Sequence, residues 1–292
     1  MTSRYDSAPT NLRALRDRLT AVAKRENVVF GRLQQHVGVL VATQFLSGVT
    51  DNQGDPMLLV KGGVSLELRR GIAESRTSKD LDAVIRGDIE AVHDQLTEAG
   101  DLGWEGFTAR FTPPAAFEVP GLTSTAYRFT AKLSYLGKPF VSVPIEVSPI
   151  EEGNADTHDR LRSDALALVG LPNSDAVPCM TLPWQVAQKI HASTDPVDEL
   201  RTNDRAHDLV DRQLLESLVD DDLLAPTRAA CVAVFAARGK HEWPPDLVAW
   251  PHWPGIYARA KEGLEQLRLA PDIDQAVVRV QAFIKRIEDA TG

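Results

Sequence analysis

The sequence predicts an α/β (α+β) molecule of two lobes, a mixed-sheet lobe followed by a helical C-terminal lobe, and three observations predict it. Residues 57–148 interleave short apolar runs and a hairpin-like alternation with helical stretches, whereas from residue 183 onward the apolar period is close to 3.6 almost throughout. The chain has 292 residues, room for two domains at about 150 residues each. Between Pro149 and Pro183 it is rich in Pro, Asp, Asn and Gly, which puts a boundary near residues 165–175 and divides the chain into 1–168 and 169–292.

Taken in order, residues 10–26 and 28–47 read as an amphipathic helix and a more buried one. Met57–Val60 is a short apolar run that hands over, through Lys61, Gly62 and Gly63, to a helical stretch Val64–Arg70. A strand over Leu81–Ile85 and a helix over 88–99 follow. The alternating segment 127–136, a Leu-Gly-Lys-Pro turn and the segment 140–148 predict a β-hairpin. Helices are expected at 183–194, 204–219, 226–238, 255–267 and 273–290, with a loop at 241–254 that carries Trp243, Trp250 and Trp253. These tryptophans either stack bases or anchor a partner, or they pack the helical lobe. No internal repeat or low-complexity tract is present.

Composition narrows the function classes. With 43% hydrophobic and 25% charged residues the chain has the ordinary globular mix. Apolar stretches such as Val37–Leu46 fall short of the ~20 residues needed to span a bilayer. The N-terminus lacks the apolar core of a secretion signal, so a cytoplasmic location without membrane contact is expected. Cys179 and Cys231 are far apart and without metal spacing, which argues against a disulfide framework or a structural zinc site. The net charge is −9, yet residues 1–150 hold 17 basic and 17 acidic side chains, so the whole deficit lies in the second half. An anionic partner would prefer the N-terminal end, where seven basic residues (Arg4, Arg13, Arg16, Arg18, Lys24, Arg25, Arg32) face three acids. The same spacing also describes a solvated helix face.

Three segments carry chemistry. In Lys61-Gly62-Gly63-Val64-Ser65 a strand gives way to a helix, so backbone amides can approach an anionic phosphate with no Cβ in the way. In Arg76-Thr77-Ser78-Lys79-Asp80-Leu81-Asp82 two carboxylates share one face at the mouth of a strand, a natural clamp for a hard divalent cation such as Mg²⁺ or Mn²⁺. Glu146 in the second hairpin strand is a candidate third carboxylate, and equally a cross-strand partner for Arg128 or Lys132. The third segment sets Lys189 on one helix against Arg205, Asp208 and Asp211, which line one face of the next at intervals of three. By composition alone this is an ion-pair ladder.

The Gly62-Gly63 helix start followed by Asp80-x-Asp82 resembles the nucleotidyltransferase fold of the DNA polymerase β type. The sixteen residues between Gly63 and Asp80 exceed that pattern and imply an insertion before the metal strand. With Lys189 and the Arg205/Asp208/Asp211 helix added, the chain resembles the AbiEii/AbiGii toxin family of nucleotidyltransferases, which includes the MenT-type toxins of bacterial toxin-antitoxin systems. The likeness runs from about residue 30 to about 215.

What the resemblance implies is an NTP-dependent, Mg-dependent enzyme that releases pyrophosphate, with the second lobe completing the active-site cleft. Lys61, Gly62, Gly63, Ser78, Arg205 and Asp208 would bind the nucleotide; Asp80, Asp82 and Glu146 would hold the metal; Asp80, Lys189 and Asp211 would be catalytic. Related toxins add nucleotides to the tRNA 3′ end, which blocks aminoacylation, and a pyrimidine triphosphate suits the likeness. A basic track of the N-terminal excess with Lys61, Arg69, Arg70, Arg76 and Lys79 would meet RNA phosphates. Other readings are transfer to a protein or small-molecule hydroxyl and a non-catalytic protein-binding module. A cognate antitoxin is expected to occlude the cleft or act through Ser78, a regulatory phosphorylation candidate whose added charge would sit where metal and triphosphate meet.

Overall fold

The computed structural model describes residues 5–76, 78, 80–118, 125–151, 153–196 and 202–290. Two helices open the chain, α1 (Leu12–Arg25) and α2 (Phe30–Ser47). Asn11 caps α1 by accepting from the Ala14 N–H. α2 is buried from Val37 through Leu46 and lies against the sheet. A Cβ at Gly38 would stand 2.3 Å from a Val141 methyl, so this glycine permits the close approach.

The chain then runs through β1 (Leu58–Lys61), α3 (Gly62–Arg70), a 3₁₀ turn at Ile72–Glu74, β2 (Leu81–Ile85) and α4 (Ile89–Leu102). Next come β3 (Phe107–Phe111), β4 (Ala115–Phe117), β5 (Ala126–Tyr135), β6 (Lys138–Pro149), β7 (His158–Leu161) and β8 (Val177–Met180). Among the described residues these eight strands form one mixed sheet in the order β3-β5-β6-β2-β1-β8-β7, with β4 beside β5. β5 and β6 are the expected antiparallel hairpin. β2 runs parallel to β6 and antiparallel to β1, which in turn runs parallel to β8. β1 and β2 are therefore central, and Leu58, Leu59, Val60 and Val84 are all but inaccessible. This is why both motif segments begin or end on apolar runs.

Among the described residues five helices follow: α5 (Leu182–Thr194), α6 (Ala206–Glu216), α7 (Asp221–Arg238), α8 (Trp253–Ala260) and α9 (Ile273–Glu288). They surround a second core that includes Val186, Leu209, Phe235 and Ile284. Leu66 of α3 belongs to this second core, so one short helix ties the two lobes. α7 begins five residues before the expected 226, because Asp220 caps it by accepting from the Leu223 N–H and carries the helix past Pro226. Strands β3, β4, β7 and β8 were not foreseen. β8 lies past the boundary expected at 168, and sheet gives way to helices between Met180 and Leu182.

The tryptophans of the 241–254 loop pack the helical lobe. Trp253 is fully buried and donates to the Asn203 carbonyl, and Trp243 donates to Glu288 at 2.6 Å. Both cysteines are free and buried; desolvation pushes the Cys179 thiol up to about 12, so it is inert at neutral pH.

Candidate active site

The site starts at the β1 to α3 handover. Gly62 has φ +66°, and a Cβ built there would lie 2.4 Å from Asp82 Oδ2. A Cβ on Gly63 would lie 2.1 Å from Ser78 Oγ. The two glycines thus make room for side chains of the second motif, which binds the two segments into one structure. Register does the rest, since Lys61 stands opposite Asp82 on β2 and Asp82 opposite Glu146 on β6. Lys61 Nζ donates to Ser148 Oγ at 2.5 Å. Burial pulls the Lys61 ammonium below its usual range against the attraction of Asp82, and pushes the Asp82 carboxyl above its own against Lys61 and Lys189. Asp80 stands exposed ahead of β2.

Ser78 is 9% exposed, and its backbone N–H donates to the Glu67 carboxylate. Glu67 also bonds His36 Nδ1 at 2.6 Å, with both side chains 2% exposed. Sequence reasoning missed this pair. The available signal was a glutamate between two leucines on a helix that is otherwise buried (Leu66-Glu67-Leu68), a position at which a carboxylate needs a partner. Thr77 and Lys79 lie outside the described residues.

The third motif closes the other side. Lys189 Nζ, on α5, donates to Asp208 Oδ1 at 2.6 Å and to Asp211 Oδ2 at 2.8 Å, both on α6 and both wholly buried. Arg76 reaches across from the sheet lobe to Asp211 with two bonds of 2.9 Å, a bidentate fork. Arg205 Nη1 approaches Asp208 at 3.5 Å, as does His207 Nε2. Burial opposes every one of these charges, yet mutual attraction prevails: Lys189 and Arg76 rise above, and Asp208 and Asp211 fall below, their usual ranges. An ammonium has three N–H donors, so two carboxylates leave Lys189 one to offer.

Between the lobes lies a cleft of about 310 Å³. Of the sequence-predicted residues, Lys61, Gly62, Asp82, Glu146, Lys189, Arg205 and Asp208 line it, while Gly63, Ser78, Asp80 and Asp211 do not. The sequence did not single out four further lining residues, of which Arg238 pairs with Glu151 at 2.6 Å and Lys240 with Asp195 at 2.7 Å. No local pattern links them, because Arg238 and Lys240, at and just past the end of α7, stand 87 and 45 residues from their partners. The described lining carries five lysines and arginines (Lys61, Lys189, Arg205, Arg238, Lys240) against five carboxylates (Asp82, Glu146, Glu151, Asp195, Asp208), which is not the acidic pocket a cationic small molecule requires.

Two expectations take a different form. Glu146 is engaged by Arg128 at 2.7 Å, the alternative left open by the sequence, because the two are cross-strand partners on β5 and β6. Arg128 also lies 4.8 Å over the Phe117 ring at the cleft wall. Among the described residues no three His, Cys, Asp or Glu side chains gather closely enough to hold a metal by themselves. The basic track is largely consumed internally. Arg69 bonds Asp159 and the Met180 carbonyl, Arg70 bonds Glu74 and Ser217, and Arg76 bonds Asp211. Arg18 and Arg32 are likewise spent on backbone carbonyls, so the exposed remainder of the N-terminal excess includes Arg13, Arg16 and Lys24.

A strand–Gly–Gly–helix start, an Asp-x-Asp strand beside it and a lysine–aspartate helix pair facing both define a nucleotidyltransferase. Residues 44–279 match the family model described as nucleotidyl transferase AbiEii toxin, type IV toxin-antitoxin system. The chain belongs to the AbiEii family of nucleotidyltransferase toxins. Among solved structures it is similar to JHP933 from Helicobacter pylori, with 14% identity, a TM-score of 0.42 and coverage of 87% of this chain and 90% of that one. It is also similar to MenT4, a nucleotidyltransferase toxin from Mycobacterium tuberculosis, with 18% identity, a TM-score of 0.44 and coverage of 94% and 99%. No curated protein matches the chain. As a type IV toxin it takes an NTP and is paired with an antitoxin. No described helix is long and apolar enough to cross a membrane.

Proposed function

We propose that this toxin transfers a nucleoside monophosphate, from a pyrimidine triphosphate, to the 3′ end of tRNA. The observation that carries the reading is the cleft itself, with Lys61 and Asp82 on the sheet wall facing Lys189 and Arg205 on the helical wall. In the reaction the terminal ribose hydroxyl oxygen bonds to the α-phosphorus while the bond to the bridging α–β oxygen breaks. Pyrophosphate leaves, and the hydroxyl proton passes to solvent.

Each residue has a task in this scheme. Lys61, with Gly62 and Gly63, receives phosphate oxygens at the start of α3. Lys189, held by Asp208 and Asp211, turns its remaining N–H to a phosphate oxygen, and Arg205 adds a second cation at the rim. Glu67, backed by His36, fixes the Ser78 backbone so that the loop presents a set geometry. The donor set fits a hard divalent ion. The Asp82 carboxyl, pushed up by burial, is one that a cation would return to its charged form. Mg²⁺ is commonly held by one or two carboxylates plus substrate phosphates. Asp80 and Asp82 would hold it, and Glu146 would join only by leaving Arg128. When bound, the ion supplies charge neutralisation at the α-phosphate and acidifies the attacking hydroxyl.

The antitoxin is proposed to act by covering the cleft or through phosphorylation of Ser78. Because Ser78 Oγ fills the space left by Gly63, modification there requires the loop to move outward, and Ser78→Asp is expected to abolish transfer. The proposal as a whole is tested by incubating the protein with deproteinised total RNA, Mg²⁺ and each α-labelled nucleoside triphosphate in turn, with Asp80→Ala as control. Label in the tRNA band with a pyrimidine triphosphate, absent in the control, is the expected result. Label in no RNA overturns the tRNA reading and points to a protein or small-molecule hydroxyl.

A further inference from the structure

We propose that Arg76 is a positioning residue for triphosphate binding, which acts by sharing the charge of Asp211 and so leaves Lys189 free to attract the substrate. The inference rests on the reading that a triphosphate meets Lys189 in the cleft.

Lys189 is hydrogen-bonded to two carboxylates at once. One ammonium between two aspartates carries −1, and the wholly buried Arg212 behind them on α6, which bonds the Asp208 backbone carbonyl and attracts both carboxylates, brings the group only to zero. Arg76 makes the sum positive. Its guanidinium donates from Nε to Asp211 Oδ1 and from Nη2 to Oδ2, both at 2.9 Å, and brings the set to +1. Arg205, 55% exposed at 3.5 Å from Asp208, adds to it on the cleft side. With Asp211 and Asp208 at 0% exposure, these charges are screened less than they would be at the surface.

Arg76 is not among the residues that line the cleft, and its guanidinium is turned to Asp211. Its effect passes through Asp211. Arg76 is also on the sheet lobe, two residues before Ser78, whereas Asp211 is on the helical lobe. The fork therefore pins the loop start to α6, while the Ser78 N–H pins its middle to Glu67. A fork suits this place because two parallel bonds fix direction as well as distance, which a lysine does not.

The test is titration calorimetry of the full chain with α,β-methylene nucleoside triphosphates and Mg²⁺, for the unaltered protein, Arg76→Gln and Arg76→Lys. Arg76→Gln is expected to weaken binding about tenfold, the size of one unit charge in a half-buried site. Arg76→Lys keeps the charge but loses the fork, and is expected to bind within about threefold of the unaltered protein. In transfer assays the Arg76→Gln change falls on the triphosphate KM rather than on kcat. A purely structural tie would weaken both variants alike, since a lysine does not reproduce the fork. Unchanged binding by Arg76→Gln, or an Arg76→Lys as weak as Arg76→Gln, overturns the proposal. Should Arg76→Gln fail to fold, Arg76→Met, equally uncharged, takes its place in both comparisons. If the unaltered protein binds no triphosphate, the functional reading falls, and this inference with it.

Discussion

Lys189 and Asp80 both belong to the proposed chemistry, but they differ in what else depends on them. Lys189→Ala leaves Asp208 and Asp211 buried with one fewer cation, and removing a partner from a buried charge cluster costs about 3–5 kcal/mol. We therefore expect lost transfer together with a clearly lowered melting temperature. Asp80 is exposed, so Asp80→Ala should abolish transfer while shifting stability by less than about 0.5 kcal/mol. A normal melt for Lys189→Ala would contradict the buried network. His191 gives a pH signature. Burial, then Arg238, pulls its pKa from 6.5 to about 3, so between these values the unfolded chain binds a proton that the folded chain refuses. By linkage, stability falls as pH drops from 6.5 toward 3. Replacement by Gln should flatten that part of the stability curve, measured by urea unfolding at stepped pH; an unaltered slope would remove His191 as its source.

At the scale of elements, the strand–Gly–Gly–helix unit was legible because its signals are local: an apolar run, then two residues without Cβ where φ must turn positive. Gly62→Ala tests it. The substitution meets both the left-handed backbone, at about 1–2 kcal/mol, and the Asp82 carboxylate 2.4 Å from the new Cβ. Lost transfer and a destabilised fold are expected, read by melting and by RNA labelling; full activity would show that Asp82 does not need this space. The helices of the second lobe were equally legible from their period. Strands β7 and β8 were not, because four-residue strands acquire their burial from neighbours distant in the chain. The α7 start was obscured by Pro226, which the helix carries beyond its first turn.

Over the whole molecule, two cores meet through α3, which starts at the cleft and sends Leu66 into the helical lobe. Gln185 of α5 strengthens the join by donating to the Gly62 carbonyl at 2.8 Å and accepting from Ser65 at 3.2 Å. We expect the protein to unfold in one transition. Leu66→Ala, at about 2–5 kcal/mol for a fully buried leucine, should separate it into two, visible as non-coincident tryptophan-fluorescence and circular-dichroism curves in urea. A single coincident transition in this variant would place the coupling elsewhere.

The sequence by itself determined the two-lobe α/β plan, the handover at Gly62, and the helix pair that carries Lys189 and the aspartates of the helical lobe. These are written in periodicity, in glycine placement and in spacings of two and three, all of which act within a few residues. Only the tertiary structure decided which charges face the cleft and which are spent. It turned Arg69, Arg70 and Arg76 from an expected RNA track into internal partners, gave Glu146 to Arg128, and buried Glu67 and His36 behind Ser78. The reason is that charge is fixed by composition, but whether a charge is available depends on what lies within about 4 Å of it, and those neighbours come from parts of the chain up to 151 residues away.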